Sequence, residues 1–84
     1  MRLVMVYREK SEVRMAVETF MRDFKDETGG EIEVVDPDTR AGWEFCKAYD
    51  ITTYPTMLAL TPAGTPMRTW RHDLPTIMDA SAYK

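Results

Sequence analysis

Apolar residues recur along this chain in two rhythms, and the switches between them divide it into seven elements. Residues 2–7, RLVMVY, form a nearly unbroken apolar run rich in β-formers, the pattern of an inner strand covered on both faces. From Ser11 the period changes. Val13, Ala16, Val17, Phe20, Met21 and Phe24 recur at helical spacing, with charged residues between them. Ser11 is the expected N-cap, and Glu12 would then sit in the first turn, where an acid is favoured. The TGG at 28–30 stops the helix, with Gly29 or Gly30 taking the left-handed conformation.

EIEVVD (31–36) is a second strand, with Ile32 and Val34 on one face. PDT opens the next helix, with Asp38 or Thr39 as its cap. Ala41, Gly42, Phe45, Cys46 and Tyr49 form the apolar stripe of that helix, and Trp43 falls to the side of the stripe, partly exposed. TMLAL (56–60) is a third strand, TPAGTP a turn by composition, and MRTW (67–70) a fourth, alternating strand. DLPTIMDASAYK makes a short last helix, with Pro75 at its first position.

The order β-α-β-α-β-β-α constrains the topology. The first two strands are joined by a helical crossover, so they are predicted parallel and right-handed. The last two are joined by a short turn, so they are predicted antiparallel. The prediction is an α/β protein with a four-stranded mixed sheet flanked by helices. A chain of 84 residues fits one such domain, spanning 1–84.

Composition narrows the function classes. The net charge is −3, and basic residues are interleaved with acids, as in REKSEVR and MRDFKDE. No basic face for nucleic acid follows from that pattern. The apolar stretches are too short to span a bilayer, and MRLVMVY reads as a strand because its apolar part is shorter than a signal-peptide core. The one cysteine, Cys46, allows no internal disulfide and no paired-thiolate metal site. A single thiol suits a reducing compartment, which leads to an expected cytoplasmic location. The seven methionines read as core filler, apart from an exposed Met15.

The residues 35–60, VD…KAYDITTYPTMLAL, resemble the thioredoxin-like superfamily in its minimal, glutaredoxin-like form. Members carry a strand ending in Val-Asp, here Val35-Asp36. They continue with a helix ending near Tyr-Gly-Ile, here Tyr49-Asp50-Ile51. An apolar residue and Pro-Thr then lead into a strand, here Tyr54 and Pro55-Thr56. The resemblance implies a cis bond at Tyr54–Pro55. It also implies that the Tyr54 amide and carbonyl are the contacts for an extended peptide or partner protein.

The redox members place Cys-x-x-Cys at the first strand-to-helix junction, where the helix N-terminus lowers the first thiol's pKa and the second thiol resolves the mixed disulfide. The equivalent positions here are SEVR, Ser11 to Arg14, and residues 1–45 contain no cysteine at all. Dithiol exchange at this junction is therefore excluded. Cys46 lies on the apolar stripe of its helix and reads as a small buried hydrophobe. Lys47, its sequence neighbour, points about 100° away around the helix. Ser11, His72 and an Asp have no nucleophile elbow to make them a triad. One histidine and scattered acids make a poor metal site. No cofactor is implied.

The expected function is accordingly a redox-inactive binding module. Its site would combine Ser11, Glu12 and Arg14 with Tyr54 and Pro55, flanked by Tyr7 and Arg8. Tyr7, Tyr54 and Trp70 could line one groove, with Arg8, Lys10 and Arg14 beside it to attract a glutathione-like anion at the helix start. Two rival expectations are a divergent oxidoreductase using Cys46 in monothiol chemistry, and a structural homodimer joined through Trp43 or Trp70.

Overall fold

Successive residues of the first strand serve two different cores. The computed structural model describes residues 1–84, and β1 (Arg2–Val6) lies inside a four-stranded sheet of order β2-β1-β3-β4. Leu3, Met5 and Tyr7 join one apolar cluster, while Val4 and Val6 join another. This is the two-residue alternation of a strand applied to a sheet covered on both faces. β3 (Thr56–Leu60), buried throughout, splits the same way: Met57 and Ala59 face the first cluster, Leu58 and Leu60 the second.

The first cluster is roofed by α1 (Arg14–Thr28) and α3 (Ile77–Ser81), through Val17, Phe24 and Ala80. The second is roofed by α2 (Arg40–Ala48), through Cys46, with Ile51 from the loop that follows. β2 (Ile32–Val35) runs parallel to β1, and β3 runs antiparallel to both β1 and β4 (Pro66–Arg71). The predicted element order, strand directions and mixed sheet are those observed.

Two helix starts and the burial of some methionines differ from expectation. Ser11 does not cap α1. Its hydroxyl donates back to the Arg8 carbonyl at 2.6 Å, closing a turn, and the helix starts only at Arg14 behind Val13, with no side-chain cap. Glu12 therefore lies in the turn before the helix. Pro75 is not the first residue of α3, because Thr76 intervenes as the N-cap and accepts from the Asp79 amide at 3.1 Å. The methionines divide: Met5 and Met57 are buried and Met15 is exposed, as expected, whereas Met1, Met67 and Met78 are exposed against expectation.

Two expected punctuation marks are where the residue types place them. Gly29 takes φ 72° after α1, returning its amide to the Lys25 carbonyl. Thr39 caps α2 by accepting from the Gly42 amide at 3.0 Å, while its own hydroxyl donates to the Asp36 carbonyl at 2.8 Å.

Candidate functional site

The strand directions gather four chain segments at one end of the sheet. β1, β2 and β4 all end there, and β3 begins there, since Val6 pairs with Val35 on one side and Thr56 on the other, and Thr56 pairs with Arg71. The loops leaving this end carry Arg8 to Arg14, Asp36 to Thr39, Thr53 to Pro55, and His72. Loops at a rigid sheet end are where function usually sits.

Arg8 ties three of these segments together. Its Nε lies 3.2 Å from the Asp38 carboxylate, and its guanidinium sits 5.1 Å from the centre of the Tyr54 ring. The Tyr54–Pro55 peptide bond is cis. The Pro55 carbonyl accepts from the His72 amide at 2.8 Å, and the Thr53 carbonyl accepts from the buried Thr56 hydroxyl at 2.7 Å. The residue between them is left over: neither the amide nor the carbonyl of Tyr54 has a hydrogen-bond partner within the chain. An unpaired backbone donor and acceptor on a half-exposed residue is a ready complement to another extended backbone.

Beside Tyr54 lies an open hollow of about 380 Å³, lined by Trp43, Cys46, Lys47, Asp50, Ile51, Thr52 and Tyr54. Trp43 is 57% exposed, and the Lys47 amine rests 5.2 Å from the centre of its ring. Arg71 steadies the rim by donating to the Asp50 carbonyl at 3.0 Å.

A comparison with solved structures finds this architecture in thioredoxin 1 from the thermophilic eubacterium Thermosipho africanus TCF52B, with a TM-score of 0.73 over 99% of this chain and 89% of that one, at 16% sequence identity. The fold is thioredoxin-like. A structure described as that of a malarial protein superposes with a TM-score of 0.69 at 14% identity, covering 95% of this chain and 90% of that one. No protein-family model matches the sequence, and no curated protein does.

Within this thioredoxin-like fold the β1–α1 turn carries Ser11, Glu12, Val13 and Arg14 and no thiol. That turn and the Tyr54–Pro55 loop lie at the same end of the sheet because Val6, the end of β1, pairs with Thr56, the start of β3. The cations there are largely spoken for: Arg8 faces Asp38, and Arg14 faces Glu18 at 2.8 Å. Lys10 alone of the three makes no ion pair. The aromatic groove is divided. Tyr7 is 5% exposed and, with Trp70, packs under α1 and α3, whereas Tyr54 packs on the opposite face of the sheet against the α2 cluster. Tyr7 thus supports the site from below and offers no ring to a ligand. Burial pushes its hydroxyl pKa up, and Glu18 and Glu9 push it further.

Cys46 is 6% exposed, and burial raises its thiol pKa; the neighbouring Tyr54 hydroxyl and the Arg8 cation oppose this more weakly. A raised value keeps the thiol protonated at neutral pH, where thiolate is the reactive form. Iodoacetamide is therefore expected to label Cys46 slowly in native protein and rapidly in denaturing urea, read by mass spectrometry. The same shift sets a pH dependence. Because the folded thiol holds its proton to higher pH than the unfolded one, its contribution to stability is complete below the unfolded value, about 8.5, and declines as pH rises past it. Urea midpoints at pH 7 and pH 9 are expected to fall in wild type and to fall less in Cys46→Ala.

Sequence reasoning did not find Asp38 as the partner of Arg8, nor His72 as the residue whose amide holds Pro55. Both depend on which strand ends coincide. The parallel β1–β2 pair, itself legible, was the available signal for the first.

Proposed function

We propose that this chain is a binding module without redox catalysis, and that an extended segment of a peptide or partner protein docks along Tyr54. The bound backbone hydrogen-bonds the Tyr54 amide and carbonyl, as an added strand would. The unpaired state of those two groups, at a sheet end where a thioredoxin-like fold has Ser11 and Arg14 in place of cysteines, is the observation that carries this reading. Arg8 and Pro55 frame the contact, and Ser11, Glu12 and Arg14 form its opposite wall. Lys10 supplies the free cation for a carboxylate, including that of a glutathione-like tail. The single buried thiol fits a reducing compartment, and the proposal places the protein in the cytoplasm.

An ¹⁵N NMR titration with glutathione and with unstructured peptides tests it. Shifts concentrated in residues 8–15 and 53–56 are expected. Silence there, with shifts elsewhere, would count against the site. A monothiol reading has one observation in its favour, the position of Cys46 at the hollow beside Tyr54. A disulfide-reduction assay separates the two. Turnover that disappears in Cys46→Ser would replace the binding-module reading with the enzymatic one.

A further inference from the structure

The two edges of the sheet are not equivalent. β4 opens on Pro66, carries a register shift opposite Ala59 and Leu60, and bears Arg68 and Arg71. Those are devices that keep a strand edge from recruiting another chain. β2, at the other edge, has no proline or bulge between Ile32 and Val35, and its one charged side chain, Glu33, is tied back to Arg2 of β1. Its hydrogen-bonding direction is fixed by the Tyr7 amide, which donates to the Val35 carbonyl at 3.2 Å. In a parallel ladder a residue turns its amide and carbonyl to the same side. Glu33 and Val35 therefore bond to β1, and Ile32 and Val34 turn theirs outward. The Val34 side chain is 53% exposed.

A concavity flanks this edge on each face of the sheet, and the two share Val34. The one toward α1, about 490 Å³, is lined by Met21, Arg22, Lys25 and Ile32 among others. The one toward α2, about 390 Å³, is lined by Val35, Ala41, Gly42 and Phe45, with Asp36 and Thr39 at one end. A strand laid against β2 would send alternate side chains to the two faces, so each concavity would receive every second one. The charges of the two differ. On the α1 side the cations are loosely engaged: Arg22 Nε is 3.8 Å from Asp23 and Lys25 Nζ is 3.5 Å from Glu31, with the two basic side chains 69% and 65% exposed. The α2 side is mainly apolar.

We propose that β2 is a strand-addition site for an extended segment that alternates acidic and apolar residues. The acidic side chains face Arg22 and Lys25, the apolar ones face Val35 and Phe45, and the backbone pairs with Ile32 and Val34. A second copy of this chain fits less well. Paired antiparallel across a two-fold axis, it would bring its own Ile32 and Val34 to the cations and its Glu33 to the apolar side. The site lies on the lateral edge of the sheet, on residues separate from Tyr54, and stands or falls independently of that loop.

The test is an ¹⁵N titration at neutral pH with a capped heptapeptide alternating Glu and Val, against its Lys/Val counterpart. With the Glu/Val peptide the Ile32 and Val34 amides are expected to shift and to exchange more slowly with solvent. Reversing the charges in the peptide is expected to weaken binding by about tenfold. The double variant Arg22→Glu, Lys25→Glu, altered only on an exposed helix face, is expected to reverse that preference. Val34→Pro removes an outward amide, which an edge strand tolerates, and is expected to abolish binding with the melting temperature little changed. No shift at Ile32 and Val34 with either peptide, or equal affinity for both, would overturn the proposal. So would a dimer in sedimentation that Val34→Pro dissolves, since the edge would then belong to a second copy.

Discussion

Gly42→Ala is expected to destabilise the protein by about 3 kcal/mol, although alanine is the better helix former by about 1 kcal/mol. Gly42 lies in the first turn of α2, buried against the preceding loop. A methyl group there would stand 1.8 Å from the Asp36 carbonyl oxygen, 2.6 Å from its carbon and 2.8 Å from the Thr39 hydroxyl oxygen. Two of those three atoms are backbone, so no rotamer change relieves the clash. Either α2 lifts from the sheet or the 36–39 loop retreats, and in both cases the Thr39 cap is lost, at a cost of about 1 kcal/mol. Overpacking usually costs about 1–3 kcal/mol, and the rigid obstacle puts this case at the upper end. Moving the loop also carries Asp38 away from Arg8, so the Tyr54 loop is expected to feel the change. Urea unfolding followed by circular dichroism measures the effect. A midpoint equal to or above wild type, as helix propensity alone would give, would show that the close approach of α2 to Asp36 is absent in solution.

Phe24→Ala carries the other large expected loss, about 3–5 kcal/mol. Phe24 is fully buried, stacks on Phe20 at 6.2 Å between ring centres, and joins α1 to the cluster formed by Leu3, Met5 and Trp70. Domains of this kind have total stabilities of about 5–15 kcal/mol, with small ones toward the lower end. The variant is therefore expected to be largely unfolded at 37 °C, with collapsed near-ultraviolet circular dichroism. Phe20→Ala is the internal comparison. Phe20 is only half-buried, so its loss is expected to be clearly smaller. Equal effects at the two positions would mean that α1 packs through a different face.

The contrast between these two residues shows what could be read from the chain. Phe24 was legible, because Val13, Val17, Phe20 and Phe24 repeat at helical spacing and the repeat alone marks the inward stripe. Gly42 was legible as a position on the α2 stripe, but the reason it must be glycine is the Asp36 carbonyl, which only the folded loop supplies. Ser11 misled for a physical reason. Serine that can cap a helix can equally close a turn by bonding backward, and here the Arg8 carbonyl takes its hydroxyl. Tyr7 was read as lining a groove, although its parity with Leu3 and Met5 sets it on the buried α1 face. Tyr54 stands outside any strand, so no parity placed it, and it went to the other face. The Arg8–Asp38 contact joins residues thirty positions apart and depends on two parallel strands ending together. Met15 was legible as exposed because it falls off the α1 stripe, but Met1, Met67 and Met78 had no local signal, since a flexible apolar side chain suits a core gap and a surface equally.

Site chemistry was legible mainly through what the chain lacks. With no cysteine before position 46, the β1–α1 turn holds no thiol whatever its conformation. The resemblance pointed to the Tyr54 amide and carbonyl, but that both are unpaired emerged only once His72 and Thr56 were seen to occupy the carbonyls on either side.

Hydrogen–deuterium exchange at the Tyr54 amide, with and without a saturating peptide that binds, is the most direct measurement. If a partner docks as an added strand, that amide becomes hydrogen-bonded, and its exchange is expected to slow markedly while amides in α3 stay unchanged. Unaltered exchange at Tyr54 in a demonstrably peptide-bound sample would contradict the account.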